Sequence, residues 1–422
     1  MINDTLKNYM YSFIEEICND IGPRESGTEQ EIQAGNRIEQ EMQKFCDITQ
    51  QEEYNSHPKA FLGFIRYGAL LGIISVVLYW LSFLIDVNII LLSKTYSIIF
   101  VLIAIILMII TFSYFILEVM RYHEAFDFLF PKKKSKNVIG TLKPSESVKR
   151  TVIISAHHDS AYEFNLFYYL KRFGQITITI GYIGAFFIFV ALIIKLIFYV
   201  LTIAFIPIFY WFGIIMLFFT PIILLYSFFH SYKSVLGAFD NLSGVVILLG
   251  IAKFLSDNKT NQKIYPRNTE VRLISFAGEE AGLRGAKRYV KSHLLELKKN
   301  NLFNVNIDSI AIKDKMVILK KETLIGAKHD FNVYNPLYEI AKKLKIEAKI
   351  GNMPFGATDA AVFSKHKIPS ATLTNLDLNK ELLPFYHTRR EAPEVVDKES
   401  LSQTLQICLK FIEYVDNLNL KP

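Results

Sequence analysis

Four long apolar blocks constrain the fold of this chain more than any other feature of its sequence. Each is about 19 residues or longer, which matches the roughly 20 residues that a helix needs to cross a bilayer. None contains an acid, a lysine or an arginine between its ends. Helices of soluble proteins nearly always keep a polar face, so the blocks predict transmembrane helices rather than core helices. They are Tyr67–Ile85, Tyr96–Leu117, Ile176–Ile194 and Thr202–Phe229.

The blocks form two predicted hairpins, residues 60–122 and 174–230, because only short turns separate the two members of each pair. A hairpin returns the chain to the side of the membrane from which it came. The remaining segments, residues 1–59, 123–173 and 231–422, should therefore share one side. Together they are long enough to form a single discontinuous domain.

Strand and helix patterns alternate along these three segments. Such alternation predicts an α/β fold with a mostly parallel sheet flanked by helices, into which the two hairpins are inserted. The predicted strands are Lys136–Leu142, Arg150–Ser155, Glu270–Ala277, Asn304–Ala311, Met316–Lys320 and Ser370–Thr374. The predicted helices are Thr5–Asp20, Glu29–Phe45, Leu242–Leu255, Gly282–Lys298, Tyr334–Leu344 and Ser400–Leu418.

Charge and cysteine content exclude several classes of protein. The net charge is +7, but the sequence shows no basic stripe interleaved with aromatic residues, so nucleic acid is not an expected partner. A lysine cluster at residues 132–136 lies beside an apolar block and indicates a membrane-surface flank. The three cysteines include no CxxC pair, which argues against a disulfide framework and a thiolate zinc site. Residues Met1–Asp20 lack the apolar run of a signal peptide.

Histidines and carboxylates follow or end several predicted strands, where active sites gather in open α/β sheets. Imidazole and carboxylate are the groups that zinc takes in hydrolytic sites. Two histidines and three carboxylates can hold two ions, with one carboxylate bridging them and a further glutamate acting as base. Each motif is weak alone, and their joint occurrence carries the prediction. In chain order the candidates are His157, Asp159, Asp240, Glu279, Glu280, Asp308 and His387.

The order of these residues resembles the co-catalytic di-zinc aminopeptidases, metallopeptidase family twenty-eight. That group also contains glutamate carboxypeptidase and glutaminyl cyclase relatives. The segment Ile21–Thr28 is also similar to the start of the family's domain, and the resemblance covers most of the chain outside the apolar blocks. The matching motifs are Ala156–Ser160, Phe239–Gly244, Phe276–Gly282, Asn306–Asp308 and Tyr386–Thr388.

The resemblance implies two zinc ions, although another divalent cation could take their place. Asp240 would bridge the two ions. Glu280 and His387 would complete one metal site, and His157 and Asp308 would complete the other.

The resemblance also implies the two catalytic residues. Glu279 would act as general base and acid, a role that requires it to stand off the metals and hydrogen bond a water. Asp159 would orient His157 by accepting its second N–H. We assign no ligand role to His158, because strand alternation points it away from His157.

The prediction is thus a zinc-dependent metallopeptidase embedded in a lipid bilayer, which removes amino acids from the N-termini of peptide substrates. A glutaminyl cyclase-like acyltransferase is the main alternative, but those relatives keep a single zinc. A receptor or scaffold on the same fold should have lost ligands, and a transporter should carry charges within its spans. Ala360 replaces a common histidine of the family, and Arg389–Glu391 also departs from its pattern. These departures leave the peptide specificity open, and the oligomeric state is open too.

The charge distribution predicts a multi-pass protein whose catalytic domain faces the cytoplasm. Short basic loops are retained inside, and most basic residues near the ends of the blocks lie on the catalytic side. The opposite side offers only Lys94 and Lys195. Those on the catalytic side are Arg66, Arg121, Lys132, Lys133, Lys134, Lys136, Lys171, Arg172 and Lys233.

Overall fold

A computed structural model describes residues 2–203, 206–299, 301–377 and 383–418. Parts of the predicted block Thr202–Phe229 and of the predicted segment 231–422 therefore lie outside the described residues. The chain forms two compact units. The first unit comprises Met1–Pro58, Asp127–Glu163 and Lys233–Pro422, and the second comprises Lys59–Phe126 and Phe164–Tyr232.

Helices and strands alternate through the first unit, whereas the second unit is helical. The described helices are α1 (Asp4–Glu16), α2 (Glu29–Met42), α3 (Ala60–Asp86), α4 (Lys94–Tyr114), α5 (Asn165–Leu170), α6 (Arg172–Val200), α7 (Ile206–Leu225), α8 (Ser243–Asp257), α9 (Arg284–Lys299), α10 (Phe331–Lys343), α11 (Asp359–Lys365) and α12 (Lys398–Asp416). The described strands are β1 (Ile48–Ser56), β2 (Lys133–Leu142), β3 (Arg150–His157), β4 (Thr269–Phe276), β5 (Asn301–Asp308), β6 (Met316–Glu322), β7 (Ala327–Lys328), β8 (Ala348–Met353) and β9 (Ser370–Thr374).

The strands form one sheet in the order β1-β2-β4-β3-β5-β9-β6-β7, with β8 paired to β6. The four central strands β4, β3, β5 and β9 are parallel, whereas β1, β2 and β7 pair antiparallel with their neighbours. The predicted α/β class is confirmed, and the sheet is mixed rather than mostly parallel because antiparallel strands flank its centre.

The centre of the sheet lies in the hydrophobic core of the first unit. Every residue of β3 is buried, including the apolar run Val152–Ile154 at its centre, since a central parallel strand is covered on both faces. Helix α8 packs against β3 and is buried along most of its length. Because β4, β3, β5 and β9 are parallel, their carboxyl ends lie along one edge of the sheet. Three of the predicted motifs lie at that edge.

The second unit consists of the long helices α3, α4, α6 and α7 with the short α5. The predicted blocks Tyr67–Ile85 and Ile176–Ile194 lie within α3 and α6. The block Tyr96–Leu117 extends three residues past α4, and the described part of the block Thr202–Phe229 extends past both ends of α7. Five described helices are long and apolar enough to cross a membrane by length and composition. The fifth, Ala238–Asp257, belongs to the first unit, and 89% of its apolar window is buried inside the structure.

A buried polar cluster joins the helices of the second unit. Lys195, which the charge distribution places at the side of the membrane opposite the catalytic segments, lies within α6 with a fully buried side chain. Its Nζ atom is 3.1 Å from Oδ2 of Asp86, and that carboxylate also accepts hydrogen bonds from Tyr199 and Ser97. The pattern of apolar blocks did not predict this charge, because the helix extends beyond the block Ile176–Ile194.

Candidate active site

Two of the predicted metal ligands are the last residues of neighbouring parallel strands. His157 ends β3 and Asp308 ends β5, and both side chains are buried. The strands pair in parallel, so their carboxyl ends meet at one edge of the sheet. Ser309 donates a hydrogen bond of 2.8 Å to Oδ1 of Asp308 and helps to fix that carboxylate.

The carboxylate of Asp240 lies between two imidazole rings. Its Oδ1 atom is 3.0 Å from Nε2 of His157, and its Oδ2 atom is 3.1 Å from Nε2 of His387. Glu280 joins the same group, with its Oε1 atom 3.1 Å from Nε2 of His387. One carboxylate thus presents one oxygen to each histidine, which is the arrangement that a bridging ligand requires.

All five predicted metal ligands lie in one group, in which four residues are buried and Glu280 is half-buried. The ligand atoms of His157, Asp240 and Glu280 lie within 4.8 Å of one another. The ligand atoms of His157, Glu279 and Asp308 also lie within 4.8 Å of one another. The second set includes Glu279, the predicted base, whose Oε2 atom is 3.9 Å from Nε2 of His157. The division into ligands and base stays a prediction, since both glutamates face the histidines.

Asp159 makes more contacts than its predicted role requires. Its Oδ1 atom is 3.5 Å from Nδ1 of His157, the ring nitrogen that it was expected to hold. It also accepts backbone N–H bonds of 3.1 Å from both Glu279 and Glu280. The buried carboxylate of Asp159 therefore fixes the loop that carries Glu279 and Glu280. It also lies against the imidazole of His157.

Glu391 is a site residue that sequence reasoning did not assign. Its fully buried carboxylate accepts a 2.7 Å hydrogen bond from the backbone N–H of Asp240 and a 3.0 Å bond from that of His387. Tyr386 stacks on the His387 ring with 3.9 Å between ring centroids. The signal for Glu391 is an acid four residues after a predicted ligand, His387, but the segment Arg389–Glu391 stands out in the sequence only as a departure from the family pattern.

His158 lies outside the ligand group, as strand alternation predicts. Its Nδ1 atom is 2.9 Å from the hydroxyl of Ser275, and burial lowers the pKa of its imidazole to about 4. The ring is therefore a neutral buried side chain with a hydrogen-bond partner.

The electrostatics of the group favour divalent cations. Burial raises the pKa of the carboxyl groups of Glu279, Glu280 and Asp308, and nearby carboxylates add to the shift. Burial alone would also raise the pKa of Asp240, but hydrogen bonds from the two histidines lower it below its usual value. Several carboxylates that lie close together away from water are stable in their charged form only beside a compensating positive charge. Two imidazoles and three carboxylates fit zinc, which takes these donors in hydrolytic sites.

Comparison with known proteins agrees with this geometry. The model of peptidase family M28 matches residues 221–412, which contain Asp240, Glu279, Glu280, Asp308 and His387. Aminopeptidase YwaD from Bacillus subtilis (strain 168) is 32% identical over 170 residues. That match covers 40% of this chain and only 35% of the curated relative.

Solved structures share the fold over nearly the whole chain. A zinc aminopeptidase from Bacillus subtilis has a TM-score of 0.54 at 16% identity, covering 97% of this chain and 95% of its own. An aminopeptidase from Aneurinibacillus sp. strain AM-1 also scores 0.54 at 16% identity, with coverage of 99% and 96%. A glutaminyl cyclase from Bacteroides thetaiotaomicron scores 0.53 at 15% identity, with 98% of each chain covered. At these identities the likeness establishes the fold, and the zinc exopeptidase-like fold expected from the sequence is confirmed. Residues 221–412, with the motifs that they carry, are thus similar to peptidase family M28 and to a bacterial aminopeptidase.

Proposed function

We propose that the protein is a membrane-bound zinc metallopeptidase that removes amino acids from the N-termini of peptides. The carboxylate of Asp240 carries this proposal, because its two oxygens lie 3.0 Å and 3.1 Å from the Nε2 atoms of His157 and His387. In our assignment Asp240 would be shared by two zinc ions. His157 and Asp308 would hold one ion, and Glu280 and His387 would hold the other.

Glu279 is the proposed general base. When bound, the two zinc ions would lower the pKa of a water and polarise the scissile carbonyl. Glu279 takes the proton of the attacking water and delivers it to the leaving amine. Its backbone N–H is held by Asp159, so the carboxylate that orients His157 also positions the loop of the base. The loop of the base and a proposed ligand therefore share one anchor.

The second unit is the proposed membrane anchor. Each of its four long helices exposes large apolar side chains, including Leu70, Ile106, Phe186 and Phe218, of which Phe218 is 69% exposed. Apolar surfaces of this extent are costly in water and are normal in contact with lipid. From the distribution of lysine and arginine near the ends of the helices, we propose that the catalytic unit faces the cytoplasm.

The substitution Glu279→Gln tests the catalytic assignment. It keeps the size of the side chain but cannot accept a proton, so kcat for an aminoacyl fluorogenic substrate should fall about a hundredfold or more. Zinc content should not change, because Glu279 is not a proposed ligand. Glu394→Gln, an exposed glutamate in the same unit, is the matched control. Activity of Glu279→Gln close to that of the wild type would exclude Glu279 as the base.

A glutaminyl cyclase-like acyltransferase is the competing function, supported by the likeness of fold to the cyclase from Bacteroides thetaiotaomicron. We rank it second because both proposed ligand sets are complete. The two functions differ in the fate of a peptide that begins with glutamine. A peptidase releases free glutamine, whereas a cyclase returns the whole peptide less one ammonia, and mass spectrometry separates these products.

A further inference from the structure

Two carboxylates mark the places where the chain passes between the two units. Asp127 is the first residue of the first unit after the first helical hairpin, and Glu163 is the last residue before the second. Each makes two hydrogen bonds to one arginine of the first unit, Arg284 for Asp127 and Arg389 for Glu163. Both arginines lie within five residues of a proposed metal ligand.

The pair Asp127–Arg284 supports the loop that carries the two active-site glutamates. The guanidinium Nη1 and Nη2 atoms lie 3.1 Å and 2.8 Å from the carboxylate oxygens of Asp127. The Nε atom of Arg284 donates to the carbonyl of Ala281, and its backbone N–H donates to that of Gly278. The side chain of Arg284 is only 1% exposed. The loop that carries Glu279 and Glu280 therefore folds around the guanidinium of Arg284, and Asp127 holds that guanidinium in place.

The pair Glu163–Arg389 supports the loop that carries His387. The Nε atom of Arg389 is 2.5 Å from one oxygen of Glu163, and Nη2 is 3.0 Å from the other. Glu163 is itself fixed, because its backbone N–H donates to the carbonyl of Lys233, on the segment that returns from the second hairpin. Thus Arg389 is attached where both ends of that hairpin meet the first unit.

Each loop holds a residue in the left-handed region of backbone conformation. Leu283 has φ of +61°, and His387 has φ of +51°. Residues other than glycine persist there only where the surrounding structure holds them. Leu283 directly precedes Arg284, and His387 lies two residues before Arg389. A bidentate arginine–carboxylate pair restricts orientation as well as distance, so it suits this task.

We propose that Asp127–Arg284 and Glu163–Arg389 are positioning pairs that fix the two metal-ligand loops to the segments from which the helical hairpins leave the first unit. The inference rests on the proposed function, since it assumes that Glu280 and His387 bind metal. Residues that orient metal ligands without touching the metal typically change affinity or activity by about 10–100-fold when they are substituted. We expect a loss of that size in zinc affinity and in kcat. KM should change little, because neither junction carboxylate is proposed to contact substrate.

The test compares Asp127→Asn and Glu163→Gln in the full-length, detergent-solubilised protein. Zinc affinity is measured by competition with a chromophoric chelator, and turnover is measured on an aminoacyl substrate. Glu16→Gln is the matched control, because Glu16 also forms a bidentate pair, with Arg37, between α1 and α2. Glu163→Gln, Arg389→Gln and their double variant form a cycle. If the pair acts as a unit, the double variant should lose no more than either single variant.

The results separate the inference from the function on which it rests. A wild-type protein that binds no zinc overturns both. A wild type that binds zinc, with Asp127→Asn and Glu163→Gln equal to Glu16→Gln in affinity and turnover, overturns the inference alone. The inference alone is also overturned if the losses in Glu163→Gln and Arg389→Gln simply add in their double variant. Arg389 is 53% exposed, so its variant keeps the test valid if substitution of the half-buried Asp127 prevents folding.

Discussion

The strongest test of the site's architecture is the substitution Glu391→Gln. Each oxygen of this buried carboxylate accepts one backbone N–H, from Asp240 and from His387. Glutamine supplies one oxygen and one amide nitrogen, so one of the two N–H groups would face another donor. Leaving a buried donor without an acceptor costs about 1–3 kcal/mol. The same free energy would disfavour the native position of Asp240 or His387, both proposed zinc ligands. That free energy corresponds to a loss of roughly 5–150-fold in zinc affinity.

The assay is competition for zinc with a chelator, combined with the thermal midpoint of the zinc-free protein, which should fall by several degrees. Glu394→Gln is the control, since Glu394 is exposed and lies three residues further along the chain. Wild-type zinc affinity in Glu391→Gln would refute the reasoning. A lower midpoint with unchanged affinity would likewise show that Glu391 stabilises the fold without positioning the ligands.

Two further predictions concern the substrate and the membrane. Acetylation of the N-terminus of a good peptide substrate should protect it, as followed by mass spectrometry, and cleavage of the blocked peptide at internal bonds would indicate an endopeptidase. In a background without the three native cysteines, Ile89→Cys should react with a membrane-impermeant thiol reagent on intact cells and Lys132→Cys should not. The reverse labelling would place the catalytic unit outside the cytoplasm and leave the peptidase proposal intact.

The sequence predicted the centre of the fold well because its signals there are strong. The buried strand β3 has an apolar centre, Val152–Ile154, and the four long apolar blocks are visible without any structure. It did not predict β1 or β8. β1 has the sequence ITQQEEYNS and lies at the edge of the sheet, where polar side chains are tolerated and protect the edge from further pairing. Such a strand carries no hydrophobic pattern by which it could be recognised.

The residue types of the site could be predicted, but their supporting contacts could not. The candidates were identified because histidine and carboxylate recur at strand ends in one order. Glu391 accepts a hydrogen bond from the backbone of Asp240, which is 151 positions away in the sequence, and Arg284 pairs with Asp127, which is 157 positions away. No local pattern encodes such pairings. The buried charge of Lys195 was missed for a related reason, since its partner Asp86 belongs to another helix and only the fold brings them together.

The central claim is that one carboxylate, Asp240, bridges two zinc ions. The most direct measurement is the zinc content of the purified full-length protein, determined by inductively coupled plasma mass spectrometry against a concentration from amino-acid analysis. Our account predicts close to two zinc ions per chain, with loss of activity on chelation and its return when zinc is restored. It also predicts that His157→Ala retains less zinc. A single tightly bound ion whose content is unaffected by His157→Ala would contradict the account and favour the cyclase-like alternative.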